Sequence, residues 1–391
     1  MLGPGADAVD PAAFDETQAY RHVQALAGQI GKRVAGTEGG RRGAAYIKQQ
    51  FERLGLAVET QSFPVRSFEE KSVRLAVTAP EAQDFPADAL IYSIAGRVTA
   101  PLAAVPRLGR PEDYQKLDVR GKIALVRRGE FFLSDKVRHA VQAGAAAVII
   151  YNSADQGFTG TLREPSAVPA VAVSGQSGQA LLGLVGRGPV TVSLDVQTAI
   201  TEGQGTNVIA RRPGNDQVFV FGGHMDSVPA GPGANDNASG TAVMLEMARV
   251  LARSNRPETL VFIAFDGEEE GLLGSQAYVQ SLSEAERRRV KAMFNFDMLG
   301  ATDNELVFIG SQELTTLAQS SAGALGIPGR AGALDSGGSD HQSFLDAGIP
   351  ALFFFRDDPL FHTPQDTPDR VQPRHLAASG KTALGVLGRL P

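Results

Sequence analysis

Apolar residues recur along this chain with two periods, and the switches between them mark its elements. In DETQAYRHVQALAGQI (15–30), Tyr20, Val23, Leu26 and Ile30 fall near helical spacing behind an acidic first turn, which predicts a helix. In AAYIKQQFERLG (44–55), Ile47, Phe51 and Leu54 share one face and Gly55 supplies a stop, predicting a second helix. LAVETQSFPV then alternates as a strand does. After residue 203 the pattern becomes strand, loop, helix, repeated. NVIARRPG, QVFVFGG, TLVFIAFD, KAMFNFDMLG, ELVFIG and ALFFF read as strands. SGTAVMLEMARVLARS, GSQAYVQSL, TTLAQSSAGALG and residues 341–348 read as helices. Apolar runs alternating with helices predict an α/β fold, a mostly parallel mixed sheet covered by helices on both faces.

Between residues 68 and 200 the texture differs. KIALVRRG, AAVIIYN, VPAVAVS and PVTVSLDV are predicted strands, with helices at DKVRHAVQAGA and SGQALLGLV. That block has enough elements to build a core of its own. A length of 391 residues agrees with two or three domains. The net charge of −6 gives no electrostatic case for nucleic acid, and no apolar stretch approaches the roughly 20 residues that span a bilayer. Without cysteine, any metal must be held by histidine and carboxylates.

In sheets of this kind, sites form at the carboxyl ends of the strands. Five segments deliver histidine or carboxylate there: His224 and Asp226 after VFVFGG, Asp236 ahead of the following helix, Asp266 with Glu268, Glu269 and Glu270 after LVFIAF, Asp297 after MFNF, and His362 in FHTPQDT. Taken singly, a strand-end histidine is a surface residue, Asp236 a helix cap and DGEEEG a solvated loop. Taken together, so many negative groups at one rim repel one another, and a buried carboxylate such as Asp297 is costly unless compensated. Two divalent cations remove that conflict. Imidazole with carboxylate suits zinc, with cobalt or manganese as substitutes. Adjacent glutamates can divide the work, one holding metal and one acting as base; spacing alone leaves open which does which.

The motifs GHMDSV (223–228), GANDNASG (233–240), EEEGLLGS (268–275), NFDMLG (295–300), SDHQSFLDAGIP (339–350) and FHTPQDT (361–367) resemble those of the di-zinc aminopeptidases related to bacterial leucyl aminopeptidases and glutamate carboxypeptidase. RVAGTEGGRRGAAYIKQQFERLGL resembles the opening of that family, and residues 68–200 resemble its inserted protease-associated domain. The resemblance implies a zinc peptidase domain at 14–67 and 201–391 interrupted by that insert. It implies that His224 and Asp297 hold one zinc, Glu269 and His362 the other, that Asp236 bridges both, and that Glu268 is the general base. It further implies that Asp226 orients His224, that Asp340 and His341 are support residues, that Asp366 braces the His362 loop, and that the Asp236–Asn237 peptide is cis.

The implied activity is hydrolysis of the N-terminal bond of peptides or proteins by zinc-activated water. The insert, which brings no catalytic set, would shade the cleft, filter substrates or contact a partner. Three alternatives stand beside this reading: a carboxypeptidase with Arg356 gripping the substrate carboxylate, a glutaminyl cyclase using one zinc, and an inactive binding protein on the same scaffold. Phe361 stands where some relatives place a tyrosine that donates to the tetrahedral intermediate. Phe353, Phe354, Phe355 and Ser336 to Ser339 are candidates to line a substrate pocket. The expected location is secreted or periplasmic, with a signal peptide missing from this sequence, and a cytoplasmic location stays open. Oligomeric state is not legible.

Overall fold

The computed structural model describes residues 9–158, 160–334 and 338–390. It separates into two compact units, one built from the residues up to Arg66 and from Glu202 onward, the other from Ser67 to Thr201.

The sheet of the first unit uses β1 (Thr191–Arg212, through its second half), β2 (Asn215–His224), β3 (Glu258–Phe265), β4 (Val290–Phe296), β5 (Leu306–Gly310), β6 (Gly329–Ala331) and β7 (Ala351–Phe355). The order is β6-β5-β7-β4-β2-β3-β1. The central strands β7, β4, β2 and β3 are mutually parallel, while β1 and β5 run antiparallel to their inner neighbours. Alternate side chains enter two cores. Phe219, Phe221, Leu260, Phe262, Phe294 and Phe296 face the helices Glu16–Val23, Glu38–Arg53, Gly240–Ala252, Gln312–Ala324 and Pro373–Leu387. Val220, Val261, Ile263, Phe265 and Met293 face Leu273–Ser281 and His341–Asp346. Burial on both faces is why these strands read as unbroken apolar runs. Phe262, Phe221 and Phe294 are cross-strand neighbours whose rings stack at 5.3 and 4.9 Å between centroids. Each such pair adds about 0.5–1.5 kcal/mol beyond its buried area.

Two glycines let the first helix after β2 reach the strand ends. A Cβ on Gly240 would lie 2.0 Å from the Phe296 carbonyl oxygen, and one on Gly223 would lie 2.9 Å from the same atom. The N-terminus of Gly240–Ala252 can therefore sit directly against the end of β4.

In the second unit the strands follow the order Asp88–Ala89, Ala170–Val173, Ala147–Tyr151, Ile123–Arg127, Gly96–Ala104 and the first half of β1. A separate apolar core fills it. The strands expected at PVTVSLDV and NVIARRPG are one strand, Thr191–Arg212. The helix expected from residue 44 begins at Glu38, capped by the Thr37 side chain, and its early turns lack apolar periodicity because they carry glycine and arginine. Among the described residues no helix is long and apolar enough to cross a membrane.

Candidate metal centre

Because β2, β3 and β4 are parallel, their C-terminal ends bring their following loops together. His224 is the last residue of β2, Asp297 follows β4, and Glu268 and Glu269 lie in the loop after β3. Asp236 sits in the turn preceding Gly240–Ala252, at non-helical φ −114° and ψ 89°. The peptide bond to Asn237 is cis. Asn237 fixes that turn, donating from Nδ2 to the Phe296 carbonyl at 2.9 Å and accepting the Gly240 N–H at 2.8 Å.

Asp236 faces two histidines with different oxygens. Its Oδ1 lies 3.2 Å from His224 Nε2 and its Oδ2 lies 3.0 Å from His362 Nε2. Beyond His224, Asp297 Oδ1 stands 3.4 Å from Nε2; beyond His362, Glu269 Oε2 stands 2.9 Å from Nε2. His224, Asp236 and Glu269 each offer one ligand atom within 4.8 Å of the others, and so do His224, Glu268 and Asp297. Among the described residues, buried His224 Nε2, Asp297 Oδ1 and Glu269 Oε1 have no hydrogen-bond partner. Orphaned buried polar atoms are rare and demand a compensating group. Imidazole nitrogens with carboxylate oxygens are the donors that zinc accepts, so the residues fit divalent cations.

Asp226 lies 3.4 Å from His224 Nδ1. It also accepts the N–H groups of Glu268 and Glu269, at 3.3 and 3.2 Å, so one buried carboxylate fixes the glutamate loop. Asp366 accepts the N–H groups of Asn235 and Asp236, at 2.7 and 3.0 Å, and so ties the His362 loop to the Asp236 turn. Asp340 is fully buried. His341 stacks on Phe353 with ring centroids 4.6 Å apart and takes no place in the carboxylate–imidazole cluster. A relay not legible in the sequence restrains Asp297: Asn295 Nδ2 donates to Ser339 Oγ at 2.7 Å, and that hydroxyl donates to Asp297 Oδ2 at 2.8 Å.

Arg33 is the largest omission of the sequence reading. It is fully buried, and its guanidinium donates to five backbone carbonyls, those of Met225, Leu26, Gly31, Pro232 and Gly233. Burial lowers its pKa to about 10, while Asp226, Asp366, Asp236 and Glu269 oppose that shift. Its charge therefore offsets part of the carboxylate field from behind the site. Arg33→Met strips donors from several buried carbonyls, each at about 1–3 kcal/mol. The expected loss is about 3 kcal/mol or more, read from urea unfolding of the zinc-loaded protein.

The carboxyls carry strong electrostatic strain. Burial, with the Asp226 charge, pushes Asp266 up to about 8. Burial pushes Glu269 and Asp340 each up to about 7, and Asp366 up to about 6. Burial alone would depress His224 and His362, but the surrounding carboxylates hold both well above the usual imidazole value. Every one of these groups binds protons more tightly folded than unfolded, so its contribution is present at low pH and lost as pH rises through the folded value. Asp236, lowered against burial by the two histidines, acts in the opposite sense. The chelator-treated chain is accordingly expected to melt lower at about pH 8 than at about pH 5.5, with zinc reversing the loss at the higher pH. A melting temperature independent of pH over that window would contradict this.

A family model described as peptidase family M28 matches residues 207–387, and one for the PA domain matches residues 98–181. Over 94% of its length the chain is 35% identical to aminopeptidase YwaD of Bacillus subtilis, covering 83% of that protein. The chain belongs to peptidase family M28. Among solved structures, the M28 fold described here matches an aminopeptidase from Aneurinibacillus sp. strain AM-1 with TM-score 0.86 at 35% identity, over 96% of this chain and 94% of that one. It matches BSAP, a zinc aminopeptidase from Bacillus subtilis, with TM-score 0.79 at 32% identity, again over 96% and 94%.

Phe361 is 41% exposed, beside the His362 ring. Arg356 is buried and donates to the Asn304 carbonyl. Phe353 and Phe354 are core residues and Phe355 packs against the first of them; Ser336 lies outside the described residues.

Proposed function

We propose that this chain is a zinc-dependent aminopeptidase that removes N-terminal residues from peptides, with His224 and Asp297 holding one zinc, His362 and Glu269 a second, and Asp236 shared between them. The single observation that carries the reading is the placement of one Asp236 oxygen against each histidine, with a further carboxylate beyond each. Zinc, when bound, supplies positive charge that polarises the scissile carbonyl and acidifies water.

Glu268 shares the His224–Asp297 side of the cluster. Burial and the neighbouring Glu269, Asp297 and Asp340 hold its pKa well above the usual carboxylate value, although His224 pulls it down. Glu268 takes the proton of the attacking water and returns it to the departing amine. Phe361 has no hydroxyl to donate to the developing oxyanion. The carboxylate excess of the site favours a substrate that brings a free ammonium group to the scissile end.

The deciding experiment compares an aminoacyl anilide with its N-acetylated form, alongside metal counting. Cleavage of the free-amine substrate by protein holding two zincs, and no cleavage of the acetylated one, is the expected result. Equal cleavage of both refutes the exopeptidase reading. A single zinc together with cyclisation of an N-terminal glutamine peptide would favour the cyclase instead. Buried Arg356, engaged by a backbone carbonyl, gives the carboxypeptidase reading little to grip a carboxylate with.

A further inference from the structure

The two halves of the centre are built differently. His224 and Asp297 stand at the ends of adjacent strands, β2 and β4, and the Ser339 hydroxyl restrains Asp297. His362, by contrast, belongs to a loop and sits at φ 59°. A non-glycine residue in that region persists only where its surroundings over-determine it, and ligands on loops are held less accurately than ligands on strands.

The loop has such a restraint. Asp358, with a fully buried side chain, receives a two-pronged grip from Arg370: Nη2 to Oδ1 at 2.8 Å and Nη1 to Oδ2 at 3.0 Å. The same carboxylate accepts the Leu360 N–H at 3.0 Å, which turns the chain toward His362, and the Asn235 side-chain amide at 3.1 Å. Asn235 is the neighbour of Asp236 and a hub in its own right. Its N–H goes to Asp366, its side-chain oxygen accepts the Gly300 N–H at 2.7 Å, and its carbonyl accepts the Ser239 hydroxyl at 2.7 Å. Ser239 Oγ in turn accepts the Leu299 N–H at 3.0 Å. Segments leading from Asp297, Asp236 and His362 thus converge on one residue pair.

We infer that Asp358, clamped by Arg370, is a positioning residue for the His362 half of the centre. The inference rests on the two-zinc reading above. Bidentate guanidinium–carboxylate pairs impose direction as well as attraction, so loosening the clamp releases His362 while the strand-borne half keeps its shape.

The test is a zinc titration of full-length Asp358→Asn and Arg370→Gln against a competing chelator, with cobalt absorption spectra as a readout independent of turnover. The wild-type chain is expected to take two ions. Both variants are expected to keep one ion near wild-type affinity and to bind the other about 10–100-fold more weakly, with one cobalt environment lost at limiting metal. Excess zinc should restore most of kcat. Arg370 is 20% exposed, so its variant decides the matter if Asp358→Asn does not fold, and the retained ion reports a folded site. Two ions at unchanged affinity in Arg370→Gln, or equal weakening of both, overturns the positioning role alone. Fewer than two ions in the wild type overturns the two-zinc reading and this role with it.

Discussion

Glu268→Gln is expected to lower kcat by about 10²–10⁴-fold, the range for loss of a general base, while both zincs stay bound. The amide matches the carboxylate in shape but cannot accept a proton. The loop should not move, because Asp226 holds it through the N–H groups of Glu268 and Glu269 and not through the Glu268 side chain. Turnover of an aminoacyl anilide and metal analysis on the same sample settle the point. Near-normal turnover with two ions would sink the base assignment. Loss of an ion would instead make Glu268 a ligand, as its closeness to His224 and Asp297 permits.

The second large effect is expected from Asp236→Asn. The substitution leaves the backbone N–H for Asp366 but removes the charge that faces both histidines. Affinity for both ions should fall together by more than about 100-fold, beyond what loss of an outer partner costs. Stabilisation by zinc, about 2.7 kcal/mol at a hundredfold excess over Kd, should vanish with it, so the melting temperature no longer responds to added metal. Retention of one ion at its original affinity would show that the carboxylate serves one side only.

Much of the central sheet was legible because β2, β3, β4 and β7 are buried on both faces and leave uninterrupted apolar runs. The polar residues at their ends stand out against those runs for the same reason. What was not legible depends on contacts distant in sequence. The helix Pro373–Leu387 buries His375, Leu376, Ala383, Leu384 and Leu387, yet its run of alanine, glycine and serine gives a weak periodic signal, and Gly380 is required only because Phe14 packs against it. Arg33 sits in an ordinary basic stretch, GKRVAG; nothing local marks it as a buried guanidinium whose partners are mostly carbonyls two hundred residues on. Asn235 and Asp358 look like turn residues until the loops meet. The proposed ligands, by comparison, were located through the order and wording of their motifs, since spacing gave no way to choose between the glutamates.

The contact at Gly240 makes the chemistry hostage to a single missing methyl. With alanine there, the helix must retreat from the β4 terminus, and the Asp236 turn, which Asn237 pins to that terminus, must retreat with it. Sub-ångström drift in helix docking would thus register as a change in the spacing of the charged groups, well before the fold itself came apart.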